Sequence, residues 1–174
     1  MQKVLVGIRW AALFTGLLCA LWSDCKRNKI PNRLNICMAA VGMGLALCCG
    51  RTALFDALSG FFLGLLLGIV LWLLRVFRAG DAKLVAALGA MMGRRWLVNE
   101  LAWALLVGAV LGLLILIRKR ELRPRLRRIR DFFRGIILSG KVKRYEPPEN
   151  AEGELPFAVP LFLGAVLTLL CQPL

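Results

Sequence analysis

The sequence predicts an all-α fold: a polytopic membrane helix bundle of about six spans, with one further amphipathic helix at the interface. Three observations carry this expectation. The 174 residues are 59% hydrophobic, and their mean hydropathy is +0.71, more apolar than a soluble domain of this size. Apolar runs of spanning length recur along the chain. The basic residues gather in alternate connections rather than spreading evenly.

A spanning helix needs about 20 mainly apolar residues. Val4–Ser23 meets this, with Arg9 able to snorkel outward. This stretch is too long for a signal peptide and meets Asp24 without a small-residue cleavage site, so it is read as a span. Leu34–Cys49 is shorter but continuously apolar, and Leu54–Leu74 is full length. Residues 81–93 form a short segment that reaches only about 20 Å at a rise of about 1.5 Å per residue. The hydrocarbon core is about 30 Å thick, so this helix either extends back through Arg78 or starts below the surface. Leu97–Ile117 and Leu155–Cys171 complete the set, and the whole chain, 1–174, reads as one membrane domain.

If the six segments alternate, loops 24–33, 75–83 and 118–154 lie on one side and hold 19 of the 24 Lys and Arg. The positive-inside rule makes that side cytoplasmic and puts both termini outside. This distribution also argues against nucleic acid as the partner of the +14 net charge. Arg94-Arg95 on the outer side is the weak point of the scheme. In the long basic loop, Leu122, Leu126, Ile129, Phe132, Phe133, Ile136 and Ile137 recur at helical spacing with arginines between them. That pattern predicts an amphipathic helix on the inner leaflet, its arginines toward anionic lipid. Gly60, Gly64 and Gly68 fall on one helical stripe, which permits close helix packing in lipid. The same packing role is expected of Gly42, Gly44, Gly89, Gly93, Gly108 and Gly112. The six cysteines form no Cys-x-x-Cys pair and mostly read as small core residues, with Cys25 expected near Asp24.

Asp24 and Asp81 stand out because each lies where an apolar segment meets a basic loop. An ionisable residue at the edge of hydrocarbon is a functional-site candidate. Both fall on the predicted cytoplasmic side, where helix packing can bring them together. Two adjacent carboxyls share a proton and titrate as a pair. One then activates water while the other protonates the carbonyl or leaving amine. Pro31 separates the Asp24 end of the first span from the second, and Gly80 is expected to turn the chain or allow close approach beside Asp81. Lys83 either steadies a carboxylate or snorkels to the interface. Asp56 and Glu100 are assigned to the outer face, away from the pair. The absence of histidine excludes His-based catalysis, and two carboxylates are too few ligands for a metal, so neither metal nor cofactor is expected. A cation transporter would carry charges at mid-membrane in several spans, and these spans are nearly free of them.

Asp24, Lys26 and the Ile30-Pro31-Asn32 run resemble the first motif of type IV prepilin peptidases. Gly80-Asp81-x-Lys83-Leu84 resembles their second, the GxGD motif of intramembrane aspartyl proteases. Leu155-Pro-Phe-Ala-Val-Pro160 is similar to the family's last-helix signature. The resemblance implies removal of basic leader peptides from prepilins and pseudopilins at the bacterial cytoplasmic membrane, with Asp24 and Asp81 as the catalytic residues. Lacking paired Cys-x-x-Cys motifs, the chain is similar to short, peptidase-only members found with tight-adherence pilus systems, and no N-methyltransferase activity is expected. Arg78 stands where the GxGD motif has its first glycine, either tuning the pair or facing lipid head groups. The alternative in another class is a catalytically silent prepilin-binding or pilus-assembly scaffold. Oligomeric state is not legible at this level.

Overall fold

The computed structural model describes residues 2–74, 76–119 and 156–171. Among these residues there are six helices and no strand: α1 Gln2–Arg27, α2 Asn32–Cys48, α3 Arg51–Leu73, α4 Ala79–Met92, α5 Arg94–Arg118 and α6 Ala158–Cys171. Three are long and apolar enough to cross a membrane: α1 over Val4–Arg27, α3 and α5. α2 and α6 are shorter apolar helices. The expected amphipathic helix lies outside the described residues. The chain divides into two compact units, Met1–Val107 with Pro156–Leu174, and Gly108–Leu155. Of the second, the described part is the C-terminal half of α5 and Lys119.

In the first unit the organising element is α4. Its residues from Leu84 to Met91 are all buried, and a helix apolar on every side belongs inside a protein. The short segment therefore begins at Ala79 and sits among other helices, so it need not match the thickness of lipid. Gly60, Gly64 and Gly68 of α3 lie against Gly89, Val85 with Ala86, and Ala82 of α4, so the two helices run antiparallel. A Cβ on Gly64 would fall 2.7 Å from the Val85 carbonyl oxygen. α2 runs parallel to α4, with Asn35 beside Gly80 and Gly42 against Met91. α1 packs antiparallel to α6, with Phe14 against Phe162 at one level and Asp24 beside Ala158 at another. Two glycines do not fit the packing expectation: among the described residues, nothing lies within 4 Å of a Cβ added at Gly44 or Gly112.

Outward-facing apolar side chains are as characteristic as the core. Phe55, Ile36, Trp22 and Leu170 are all well exposed, as lipid contact permits. The same physics corrects the reading of the cysteines. All six are exposed, Cys25 included. An apolar run in lipid has no polar face to mark which side is core, so small apolar residues fall on either side.

Candidate active site

Asp24 lies one turn before the end of α1, which continues past the apolar run through Cys25-Lys26-Arg27. Basic residues in a last turn suit the negative end of the helix dipole. Asn28 then takes a left-handed conformation, φ 50°, and its N–H closes the turn on the Asp24 carbonyl at 2.8 Å. Pro31, extended at φ −68° and ψ 134°, caps α2 and allows the reversal that brings Asn32 and Asn35 back toward α4.

Asp81 occupies the first turn of α4. Its Oδ2 accepts the Arg78 N–H at 3.0 Å, satisfying one of the donors a helix start leaves open. The Arg78 side chain has no acceptor with which to reciprocate. Gly80 is helical, with only ordinary contacts to Ile30 for an added Cβ. It does not supply the turn expected of it. The positive φ of this region belongs instead to Gly93, at the far end of α4.

The two carboxylates come from separate helices, are 2% and 4% exposed, and both have Arg78 as a neighbour. The Asp24 Oδ2 accepts the Ala158 N–H at 3.3 Å. Ala158 opens α6, so this acid rests at the positive end of a helix dipole. The Phe77 and Phe157 rings, with centroids 4.2 Å apart, seat the entry to α6 against the segment before α4. The Pro156-Phe-Ala-Val-Pro160 signature thus lies at the pair. Arg78 is the other neighbour: its Nη1 donates to the Asn28 carbonyl at 3.0 Å and stands 4.0 Å from the Asp24 Oδ1. Its guanidinium is turned toward Asp24 and is 40% exposed.

The remaining motif residues sit around this centre. Lys83 donates to the Asn32 Oδ1 at 3.0 Å, tying the α2 start to α4 instead of bonding a carboxylate. Asn35 donates to the Gly80 carbonyl at 3.2 Å. Lys26 is exposed and lies over the Trp22 ring, 4.3 Å from its centroid. Ile30 is buried, covering Gly80. A groove of about 490 Å³ opens beside them, with Asn32 and Lys83 on its rim and Ile36, Met43, Phe61, Leu65 and Ala86 among its walls. At the other end of α4, Asp56 lies against Gly93 and 3.8 Å from the Arg94 Nε. Arg94, awkward for the charge pattern, therefore has a partner there. Glu100 is fully buried, and its oxygens meet no hydrogen-bond partner among the described residues. It lies inside the bundle, near the Arg94 start of α5.

Asn35 is the site neighbour that sequence reasoning missed, and Ala158, inside the last-helix signature, was named there without a role of its own. Ala158 contributes a backbone N–H, which no side chain advertises. Asn35 had a signal, an amide in an apolar run three residues after Asn32.

The model of the type IV leader peptidase family matches residues 11–116, a stretch that contains both aspartates. The chain is also 34% identical over 111 residues to a prepilin leader peptidase/N-methyltransferase of Myxococcus xanthus strain DK1622. That alignment covers 59% of this chain and 32% of the relative, about a third of its length. No solved structure matches the chain.

Proposed function

Because the chain belongs to the type IV leader peptidase family, we propose that it is a membrane aspartyl endopeptidase that removes the leader peptide from type IV prepilins or pseudopilins. In this reading it works at the cytoplasmic face of the bacterial inner membrane, with both termini outside and anionic lipid around its basic loop. It does not methylate the new amino terminus. The observation that carries the reading is the burial of two carboxylates, Asp24 and Asp81, which come from the ends of separate helices and have Arg78 as a common neighbour.

The chemistry follows from that pairing. One carboxylate takes a proton from water, and the hydroxide adds to the scissile carbonyl carbon. The other, protonated, donates to the carbonyl oxygen as it gains charge. Collapse of the tetrahedral intermediate breaks the C–N bond, and the proton taken from water passes to the departing amine. The two acids exchange roles as proton holder, so neither is assigned in advance. The Asp24 bond to the Ala158 N–H and the Asp81 bond to the Arg78 N–H leave each acid one carboxylate oxygen for this work. A substrate peptide sealed in helix cannot react, so it must arrive unwound near the interface.

The test is co-expression with the prepilins encoded beside it and intact-mass measurement of the product. Leader loss with an unmodified amino terminus is expected. A folded, membrane-inserted protein that leaves every such prepilin intact would sink the peptidase reading and favour a scaffold. A methylated product would overturn only the peptidase-only part.

A further inference from the structure

The two acids are carried by helices that scarcely pack on each other. α4 is held closely by α3 and α2, while α1 touches it sparsely and leans instead on α2 and α6. The spacing of Asp24 and Asp81 therefore does not follow from helix packing alone. Contacts cross from the end of α1 to the start of α4: Ile30, just past α1, packs over Gly80, Phe77 meets Phe157 at the entry to α6, and one polar side chain makes a crossing of its own.

Arg78 makes that crossing. It is the N-cap residue of α4, and its backbone N–H holds the Asp81 Oδ2 at 3.0 Å. Its guanidinium reaches back fifty residues in sequence to the Asn28 carbonyl at 3.0 Å. Asn28 is fixed to Asp24 in turn, since its N–H closes on the Asp24 carbonyl at 2.8 Å. The same Nη1 lies 4.0 Å from the Asp24 Oδ1. A single residue thus contacts both carboxylates, one through its main chain and one through its side chain. The left-handed Asn28 turn that ends α1 presents its carbonyl to the guanidinium. A planar fork with several fixed N–H directions suits the joining of a carbonyl and a carboxylate, whereas an ammonium reaches them as a point charge.

We propose that Arg78 is a positioning residue, which clamps the α1 terminal turn to the α4 start and so sets the separation of the two acids before substrate arrives. This rests on the peptidase reading for its consequence but not for its geometry. The arginine, standing where the family's motif has a glycine, supplies a link between α1 and α4 that sparse packing does not provide. Its position at the N-cap allows both contacts, because its main chain belongs to the start of α4 while its side chain reaches the end of α1.

The full-length protein in detergent tests this with Arg78→Ala and Arg78→Lys. Two readouts are needed, one of which does not depend on cleavage. Amide hydrogen exchange should quicken in Arg78→Ala at residues 25–28 and 79–82, with exchange in the buried part of α4 unchanged. For prepilin cleavage, kcat should fall about tenfold with KM within about twofold, because a misplaced pair loses rate rather than affinity. Arg78→Lys should recover part of the rate and part of the protection. Exchange that stays native in Arg78→Ala overturns the clamp, whatever the activity. So does a rise in KM with kcat unchanged, which would make Arg78 a substrate contact. If the native protein cleaves nothing while Arg78→Ala still loosens both turns, the clamp stands and the peptidase reading falls.

Discussion

Asp81→Asn and Asp24→Asn are each expected to abolish leader cleavage, by at least about 10³-fold, while the protein still accumulates folded in the membrane. The size of the loss follows from what each acid does. General acid–base catalysis by one positioned group contributes about 10²–10⁴-fold, and an amide can neither take the proton from water nor return it to the amine. The preserved fold follows from the contacts. An asparagine Oδ1 still accepts the Ala158 N–H at position 24, or the Arg78 N–H at position 81. Neither variant leaves a cavity. The guanidinium of Arg78 stands at 4.0 Å from Asp24 and is 40% exposed, so losing that charge costs well under about 1 kcal/mol. Prepilin mass after co-expression reads the activity, and size-exclusion of the purified protein reads the fold. Cleavage near the native rate by either variant would rule out an aspartyl mechanism for this chain and return the scaffold reading. An assembly scaffold has no need of an ionisable group at either position.

That both acids could be picked from the sequence has a physical basis. Hydrocarbon makes a carboxylate at its border conspicuous, and only ten acidic residues are present in all. Hydropathy also located the helices well, because an apolar window is what a helix in lipid requires. It located their ends less well. α1 continues to Arg27 because the backbone ladder continues wherever residues allow it, polar or not. Asp24 is therefore a residue of a helix, where the sequence suggested the first residue of a loop. Proline was a sharper marker: Pro31 caps α2, where its missing N–H leaves no donor unsatisfied.

What could not be read off is pairing across long sequence distances. The partner of Arg78 is a carbonyl fifty positions earlier, and the partner of Asp24 is an N–H 134 positions later. Main-chain groups have no identity in a sequence, so both contacts had to come from the fold. The centrality of α4 was hidden for a related reason. Its alanines and glycines look like those of any apolar span, and only the neighbours α2 and α3 reveal that they are there to admit close backbones. The Gly60-x-x-x-Gly64-x-x-x-Gly68 stripe was visible, but not the helix it receives.

That stripe carries the second large effect: Gly60→Ala is expected to lower stability by about 3 kcal/mol or more, at or above the usual 1–3 kcal/mol range for overpacking. An overpacked side chain normally finds relief because its neighbour rotates. Here the neighbours are backbone: a Cβ on Gly60 would press on the Gly89 carbonyl oxygen and lie 2.9 Å from the Gly93 carbonyl carbon. Relief requires α4 as a whole to move away from α3. Because Asp81 is on the first turn of α4, such a shift also displaces the candidate pair, and a misplacement of about 1 Å costs on the order of 10²-fold in rate. Gly44→Ala is the matched control. Gly44 is helical with nothing within 4 Å of an added Cβ, so the change is expected to stabilise by up to about 1 kcal/mol through helix propensity. Thermal melts of the two variants in the same detergent, followed by tryptophan fluorescence, should therefore move in opposite directions. Cleavage by Gly60→Ala should fall even at temperatures where it remains folded. A Gly60→Ala protein with native melting and native cleavage would show that α3 and α4 do not approach this closely in the membrane, and the placement of Asp81 would then need another support.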